Sequence, residues 1–298
     1  MVRPAELRRR VSSETVAQNQ EIVRIFHPSD FSESSEVAFA HALKLALITR
    51  SEFQILNVQA NNGEYDWDSF PGVREMLEKW GELPPDSSRS AITKLGVKVE
   101  KNIGRDNDPV VSVLYFLSRK PADLIVIATH QYQGRMRWLN KPIAEPIARE
   151  SGEMTLFLPH GVEGFVSLDD GGISLREILI PVDNDPDPGQ AIDTAASLAA
   201  SLNLEEVRFT AIHVGSESDM PDLHTVDREG WIWNIQCTRG DPVENILQAS
   251  KGCRADLIVM PTAGHDGFLD ALRGSTTERV VRGANCPVLA IPVNQPGQ

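Results

Sequence analysis

The residues best equipped for chemistry lie between Ala255 and Val281. The apolar run Leu257-Ile258-Val259-Met260 reads as a buried parallel strand. A loop holding Gly264, Gly267 and Gly274 follows, and Ser275-Thr276-Thr277-Glu278-Arg279-Val280-Val281 reads as a helix start. A strand, a glycine-bearing loop and a helix N-terminus together make an anion site. Bare backbone N–H groups and the helix dipole both favour a phosphate there, and glycine lets the backbone come close and take positive φ. The same residues also have a purely structural use. Gly264 and Gly267 can serve as turn residues, and Ser275-x-x-Glu278 is a capping box, in which hydroxyl and carboxylate satisfy the helix's own N–H groups.

Composition narrows what such a site can belong to. The chain has 298 residues and a net charge of −13, which argues against general binding to nucleic acid or to an anionic membrane surface. The cysteines, Cys237, Cys253 and Cys286, are odd in number and lack metal-ligand spacing, so they read as reduced thiols of a cytoplasmic protein. No stretch has the length of a membrane span. Residues 1–20 carry Arg8-Arg9-Arg10 without an apolar core, so they read as a polar tail and not as a secretory signal.

The elements that would position the loop can be read in order. Ile22–His27, Phe53–Val58, Val97–Ile103, Ala122–Ala128 and Met154–Leu158 read as strands. Between them Ser32–Ile48, Gly72–Trp80, Ser87–Leu95, Pro109–Ser118 and Ile143–Arg149 have helical spacing, and Asn61–Trp67 reads as loop. Alternating strands and helices imply a parallel sheet with helices on both faces.

The second half repeats the first. Ile25-Phe26-His27-Pro28-Ser29-Asp30 aligns with Ile178-Leu179-Ile180-Pro181-Val182-Asp183. Ala38, Ala42, Leu45 and Ala46 meet Ala191, Ala195, Leu198 and Ala199, and Phe53–Val58 meets Phe209–Val214 after a short gap. Ala-Asp-Leu-Ile-Val occurs identically at Ala122–Val126 and Ala255–Val259. The period is a whole domain, so the chain is a tandem duplication and not a solenoid. The halves differ between their second and third strands. There the first half carries Ala60–Gly96, whereas the second has only Gly215–Gly230 before a strand at Trp231–Cys237, so helical material is missing. Phe165–Leu175, with Asp-Gly and Gly-Gly at its centre, reads as a small hairpin. The resulting division is a tail at 1–20, a first domain at 21–159, a hairpin linker at 160–175 and a second domain at 176–298.

These residues together resemble the universal stress protein family in its tandem two-domain form, from Ile22 to Val293. The resemblance implies an α/β fold of two five-stranded parallel-sheet domains, Rossmann-like and adenine nucleotide alpha-hydrolase-like, packed as a pseudo-dimer through their final strands. A further homodimer is compatible with it. The family's ATP-binding members have an Asp after the first strand. After the fourth strand they have Gly-x-x-Gly, nine residues, then Gly-Ser or Gly-Thr. Here Pro181-Val182-Asp183 and Gly264, nine residues, Gly274-Ser275 match, while Pro261 stands in place of the first loop Gly and removes a backbone donor. The resemblance implies that Asp183 sits near adenine or ribose and that Val214 holds adenine by its backbone. It implies that Met260 and Pro261 border the site, and that Gly264, Gly274, Ser275 and Thr276 hold the phosphates of ATP, AMP or ADP, with or without Mg. The ordinary alternative for Asp183 is a loop or cap carboxylate.

The first half keeps Asp30 but has Gln131, Lys141 and Pro142 at the places of Gly264, Gly274 and Ser275, so it lacks the family's phosphate loop. Arg135, Arg137 and Lys141 form a basic cluster that reads more simply as a solvated face than as an anion site. No enzyme constellation stands out: there is no HExxH, no zinc-spaced Cys pair and no Walker Gly-Lys-Ser/Thr. His41 has no evident partner, and His213, inside an apolar strand, reads as a satisfied core residue. The expectation is a regulatory stress-response protein that binds one adenine nucleotide in its second domain, and not an enzyme. A nucleotide-free scaffold, favoured by Pro261, and a slow ATPase or autokinase are the rivals.

Overall fold

The computed structural model describes residues 22–59, 70–106, 108–129, 143–263 and 275–293. They fall into two compact units, Ile22–Ser174 and a second beginning at Leu175. The first unit runs β1 (Arg24–Pro28), α1 (Glu33–Thr49), β2 (Glu52–Gln59), α2 (Val73–Lys79), α3 (Arg89–Lys94), β3 (Lys98–Arg105), α4 (Pro109–Arg119), β4 (Leu124–Thr129), α5 (Ala144–Ser151) and β5 (Thr155–Pro159). Its strands are all parallel, in the order β3-β2-β1-β4-β5. The second unit runs β6 (Glu177–Pro181), α6 (Gly189–Ser201), β7 (Val207–Val214), β8 (Trp231–Thr238), α7 (Pro242–Cys253), β9 (Leu257–Ala263), α8 (Thr276–Gly283) and β10 (Val288–Val293). Its parallel order is β10-β9-β6-β7-β8. The expected Asn61–Trp67 loop lies outside the described residues.

The central strands are apolar on both faces because helices cover both sides of the sheet. Ile25, Phe26, Ile125, Val126, Ile258 and Val259 are all fully buried. Helix starts are written into the sequence. The Ser32 side chain accepts from the Ser35 N–H at the head of α1, and Asp108 and Asp241 cap α4 and α7, each of which begins with proline. As expected from the shorter second half, only a 3₁₀ turn at Glu217–Asp219 lies between β7 and β8. There Trp233 of β8 stacks on Phe209 with ring centroids 4.3 Å apart, and Trp231 lies 5.2 Å from the same ring.

The duplicated Ala-Asp-Leu-Ile-Val has a shared physical use. One oxygen of Asp123, just before β4, accepts the backbone N–H groups of Val23 and Arg24 at 2.9 and 2.8 Å. Asp256, just before β9, accepts those of Arg176 and Glu177 at 2.8 and 2.9 Å. Each carboxylate thus ties the fourth strand of its unit to the start of the first. The resulting registers are Ile25 beside Leu124 and Ile178 beside Leu257.

The hairpin after β5 forms, with an antiparallel bridge between Val166 and Ile173 and Gly171 at positive φ. Its anchor is His41 of α1, for which the sequence offers no evident partner. The His41 Nδ1–H donates to the Val37 carbonyl at 2.8 Å. Nε2 accepts the N–H groups of Phe165 and Val166 at 2.9 and 3.1 Å. Gly164 completes the fit: at φ +71° it lies so close that a Cβ would stand 2.3 Å from Nε2. His27 is buried likewise. Its Nδ1–H donates to Val126 O at 2.9 Å and Nε2 lies 3.3 Å from the Ser35 hydroxyl.

Burial pushes both histidines down to about 4. Their folded values lie below the unfolded value of 6.5, so the unfolded chain takes up protons that the folded unit refuses. Stability is full above pH 6.5 and is lost as pH falls toward 4, by about 3 kcal/mol per histidine. Replacing His41 by Gln, whose carbonyl can accept without titrating, should flatten the pH dependence of denaturant stability in this window by about one proton. Asp256→Ala should weaken the second unit by about 1–3 kcal/mol in urea denaturation, with Asp256→Asn recovering part of the loss.

Candidate functional site

In each unit the chain winds outward from its first strand in one direction and then crosses back to the other side. The carboxyl ends of the two strands flanking that reversal bound a crevice, where open α/β sheets place ligands. In the second unit these strands are β6 and β9. Pro181 ends β6, with Val182 and Asp183 just beyond it, Val214 ends β7, and Met260 and Pro261 lie in the last half of β9. Ser275 caps α8, whose first residue is Thr276, at the same end of the sheet. Topology therefore gathers eight of the ten residues named from sequence at one edge. The other two, Gly264 and Gly274, lie outside the described residues.

Chemistry differs across this edge. At the β6 and β7 ends it is acceptor-rich. Asp183 is exposed, and one of its oxygens accepts the Asn184 N–H at 2.8 Å. The Asn184 amide donates to Asp219 O at 2.6 Å, which ties the loop after β6 to the turn after β7. At the α8 end it is donor-rich. The Ser275 oxygen accepts the Glu278 N–H at 3.1 Å, as the capping-box reading expects, and its O–H remains able to donate outward. Glu278 pairs with Arg282, one turn further on.

Pro261 is tolerated for a topological reason. β9 is a central strand, where proline is normally excluded. Its ladder with β6, however, covers only Leu257 and Ile258. By Pro261 the strand pairs on one side only, opposite Ile291 of β10.

His213 departs from its sequence reading. It is buried as expected, 2 % exposed, but it is not satisfied. The Val182 carbonyl, which can only accept, lies 3.1 Å from Nδ1, so Nδ1 carries the proton. Nε2 is then an acceptor, and it makes no hydrogen bond. A Cβ on Gly215 would stand 2.4 Å from it, and the Asp183 carboxylate lies 4.0 Å from Nδ1. The first unit repeats the clamp with Asn57, whose amide donates to Ser29 O at 2.8 Å. Ser29 and Val182 are matched in the repeat, as are Asn57 and His213. A polar residue at the same place in both apolar strands was the available signal.

The donor set suits an adenine nucleotide: carboxylate and imidazole acceptors for hydroxyl or amine groups at one end, hydroxyl and helix N–H donors for phosphate at the other. The first unit's crevice is different. Its cavity of about 140 Å³, among Ser29, Asp30, Val113, Ile127, Ile143 and Glu145, is below the usual size of a small-molecule site. Its expected basic cluster, with Gln131, Lys141 and Pro142, lies outside the described residues. Among the described residues no group of three or more His, Cys, Asp or Glu side chains could hold a metal ion. No described helix is long and apolar enough to cross a membrane. The three cysteines are free, and burial pushes the Cys286 thiol up to about 12.

Comparison with known proteins bears on the fold and on the family. The model of the universal stress protein family matches residues 22–159 and 232–292. The universal stress protein MJ0531 of Methanocaldococcus jannaschii is 26% identical over 138 residues, which is 39% of this chain and 81% of that protein. Among solved structures, a universal stress protein from Archaeoglobus fulgidus is similar with a TM-score of 0.59 at 20% identity, over 90% of this chain and 98% of that one. The protein PA1789 of Pseudomonas aeruginosa, functionally unknown, gives a TM-score of 0.59 at 13% identity, over 92% and 93%. At these identities the structures speak for the fold alone.

Two substitutions at Ser275 separate cap from ligand site. Ser275→Ala should cost about 1 kcal/mol of stability through the lost cap. Ser275→Asp should keep the cap, and hence the melting temperature, while its charge repels an anion. Thermal melts with titration of a labelled phosphate compound check both outcomes.

Proposed function

The chain belongs to the universal stress protein family, and from that premise we propose that its second unit binds one adenine nucleotide and serves a regulatory role in the stress response. The observation that carries this reading is the convergence of Asp183, Val214 and the N-terminus of α8 at the strand reversal of the second unit, with acceptors on one side and donors on the other. In the reading, Asp183 takes a ribose or adenine hydrogen, and Val214 offers its backbone to the base. Gly264, Gly274, Ser275 and Thr276 donate to phosphate, while Met260 and Pro261 border the pocket. His213 Nε2 is added as an acceptor for a hydroxyl or amine of the same ligand. ATP, ADP and AMP share the features that these groups recognise, and Mg is not required by any of them.

The role proposed is binding and not turnover. Phosphoryl transfer needs cationic groups and a metal-holding carboxylate placed around the transferred phosphate. Among the described residues, the cations near the α8 start are otherwise engaged, with Arg279 3.5 Å from the Asp241 cap of α7 and Arg282 on Glu278. The nucleotide would act by altering what that edge presents to partners.

Calorimetric titration should give one nucleotide per chain. Gly274→Val, which puts a branched side chain where backbone and phosphate meet, should abolish binding with the melting temperature nearly unchanged. Lys141→Glu, in the first unit, should leave stoichiometry and affinity as they are. Two nucleotides per chain, or full binding by the Gly274→Val protein, would overturn the placement.

A further inference from the structure

The first unit has a second cavity, unrelated to the strand reversal. It holds about 520 Å³, within the usual range for small-molecule sites. It lies between α2, α3 and the edge strand β3, so it is built by the segment that the second unit lacks. Its floor is aliphatic: Val97 is fully buried, with Val99 and Ile92 partly buried beside it. Its polar lining is mainly cationic, with Arg74, Arg89 and Lys101 against the one carboxylate of Glu75. In a chain of net charge −13 this is a local inversion of sign.

Of these three cations, only Arg74 is ion-paired among the described residues. Glu75 is held by Arg74 at 2.8 Å. Arg74 Nε is shielded from solvent and makes no hydrogen bond, with Glu78 Oε1 at ion-pair distance, 3.7 Å away. Neither Arg89 nor Lys101 has an ion-pair partner among the described residues. The Lys101 ammonium instead lies over the Phe70 ring, 5.6 Å from its centre. Loss of solvent lowers the Lys101 pKa; the Glu75 carboxylate opposes this, and the positive charge of Arg89 adds to it. An anion between these two groups would relieve their repulsion. The aliphatic floor asks in addition for an apolar body attached to that anion.

We propose that the cavity between α2, α3 and β3 is a binding site for a medium-chain aliphatic carboxylate, its head on Arg89 and Lys101 and its chain on Ile92, Val97 and Val99. The site is independent of the nucleotide crevice, and each chain has one, because the second unit has no helices at the matching place.

The test uses the full chain and octanoate, with acetate as a head lacking the chain and octanol as a chain lacking the head. Calorimetry, or chemical-shift changes in the labelled protein, should show one saturable octanoate site. Acetate and octanol should each bind at least tenfold more weakly. Arg89→Gln combined with Lys101→Met should weaken octanoate at least tenfold and leave octanol unchanged. The two single variants, also at exposed positions, serve if the double variant melts early. A tenfold excess of ATP should leave octanoate affinity unchanged. Absence of saturable octanoate binding, equal binding of octanol, full affinity in the charge-deleted variants, or displacement by ATP would each overturn the proposal.

Discussion

Two backbone N–H groups meeting one carboxylate is the interaction on which each unit of this protein turns. A doubly wound sheet must reverse direction beside its first strand, and no continuous run of local contacts specifies which strand returns there. Asp123 and Asp256 supply that specification, each gripping the chain just where β1 or β6 begins. The short ladders that follow, two residue pairs in each unit, then align the strands whose far ends bound the crevice. Closure is thus made at the amino ends of the strands and ligand chemistry at their carboxyl ends. Loops such as those after β4 and β9 can diverge between the two halves without disturbing the grip that holds either sheet together.

Most of the fold was readable from residue pattern. Apolar runs placed β1, β2, β4 to β7 and β9 within a few residues, because strands buried on both faces have no other way to be written. Ser32, Pro109 and Ser275 marked the starts of α1, α4 and α8. The self-alignment also carried more than the duplication. The matched pairs Asn57 with His213 and Ser29 with Val182 already contained the clamp that joins the first two strands of each unit. What could not be read were contacts without period. His41 meets Phe165 and Val166 across 124 and 125 residues, and nothing in α1 distinguishes that histidine from any other buried one. Only the hairpin's position relative to the helix makes it an acceptor, and only Gly164 at positive φ lets the chain approach it.

Where the candidate residues fall in the fold was readable in part for the same reason. Asp183, Val214 and Ser275 are fixed by where elements end, and ends are announced by sequence. The unpaired Nε2 of His213 is not announced, since burial of a histidine in an apolar strand ordinarily means two satisfied nitrogens. Pro261 shows the converse. Its missing N–H looks costly in the middle of a strand, yet β9 has parted from β6 before reaching it, so the ladder has no use for that donor.

The uneven treatment of the two outer strands has a practical meaning. β3 carries two short helices beside it, whereas β8 meets Phe209 with its own tryptophans and has only a 3₁₀ turn before it. One polypeptide therefore presents the same sheet twice, once flanked by two short helices and once by an irregular segment, at equal concentration and in the same solvent. The copy without helices is an internal reference for whatever the other copy does. Grafting Phe70–Gly96 in place of the segment between β7 and β8 would then ask whether a pocket can be transplanted as a cassette, separately from the sheet that carries it.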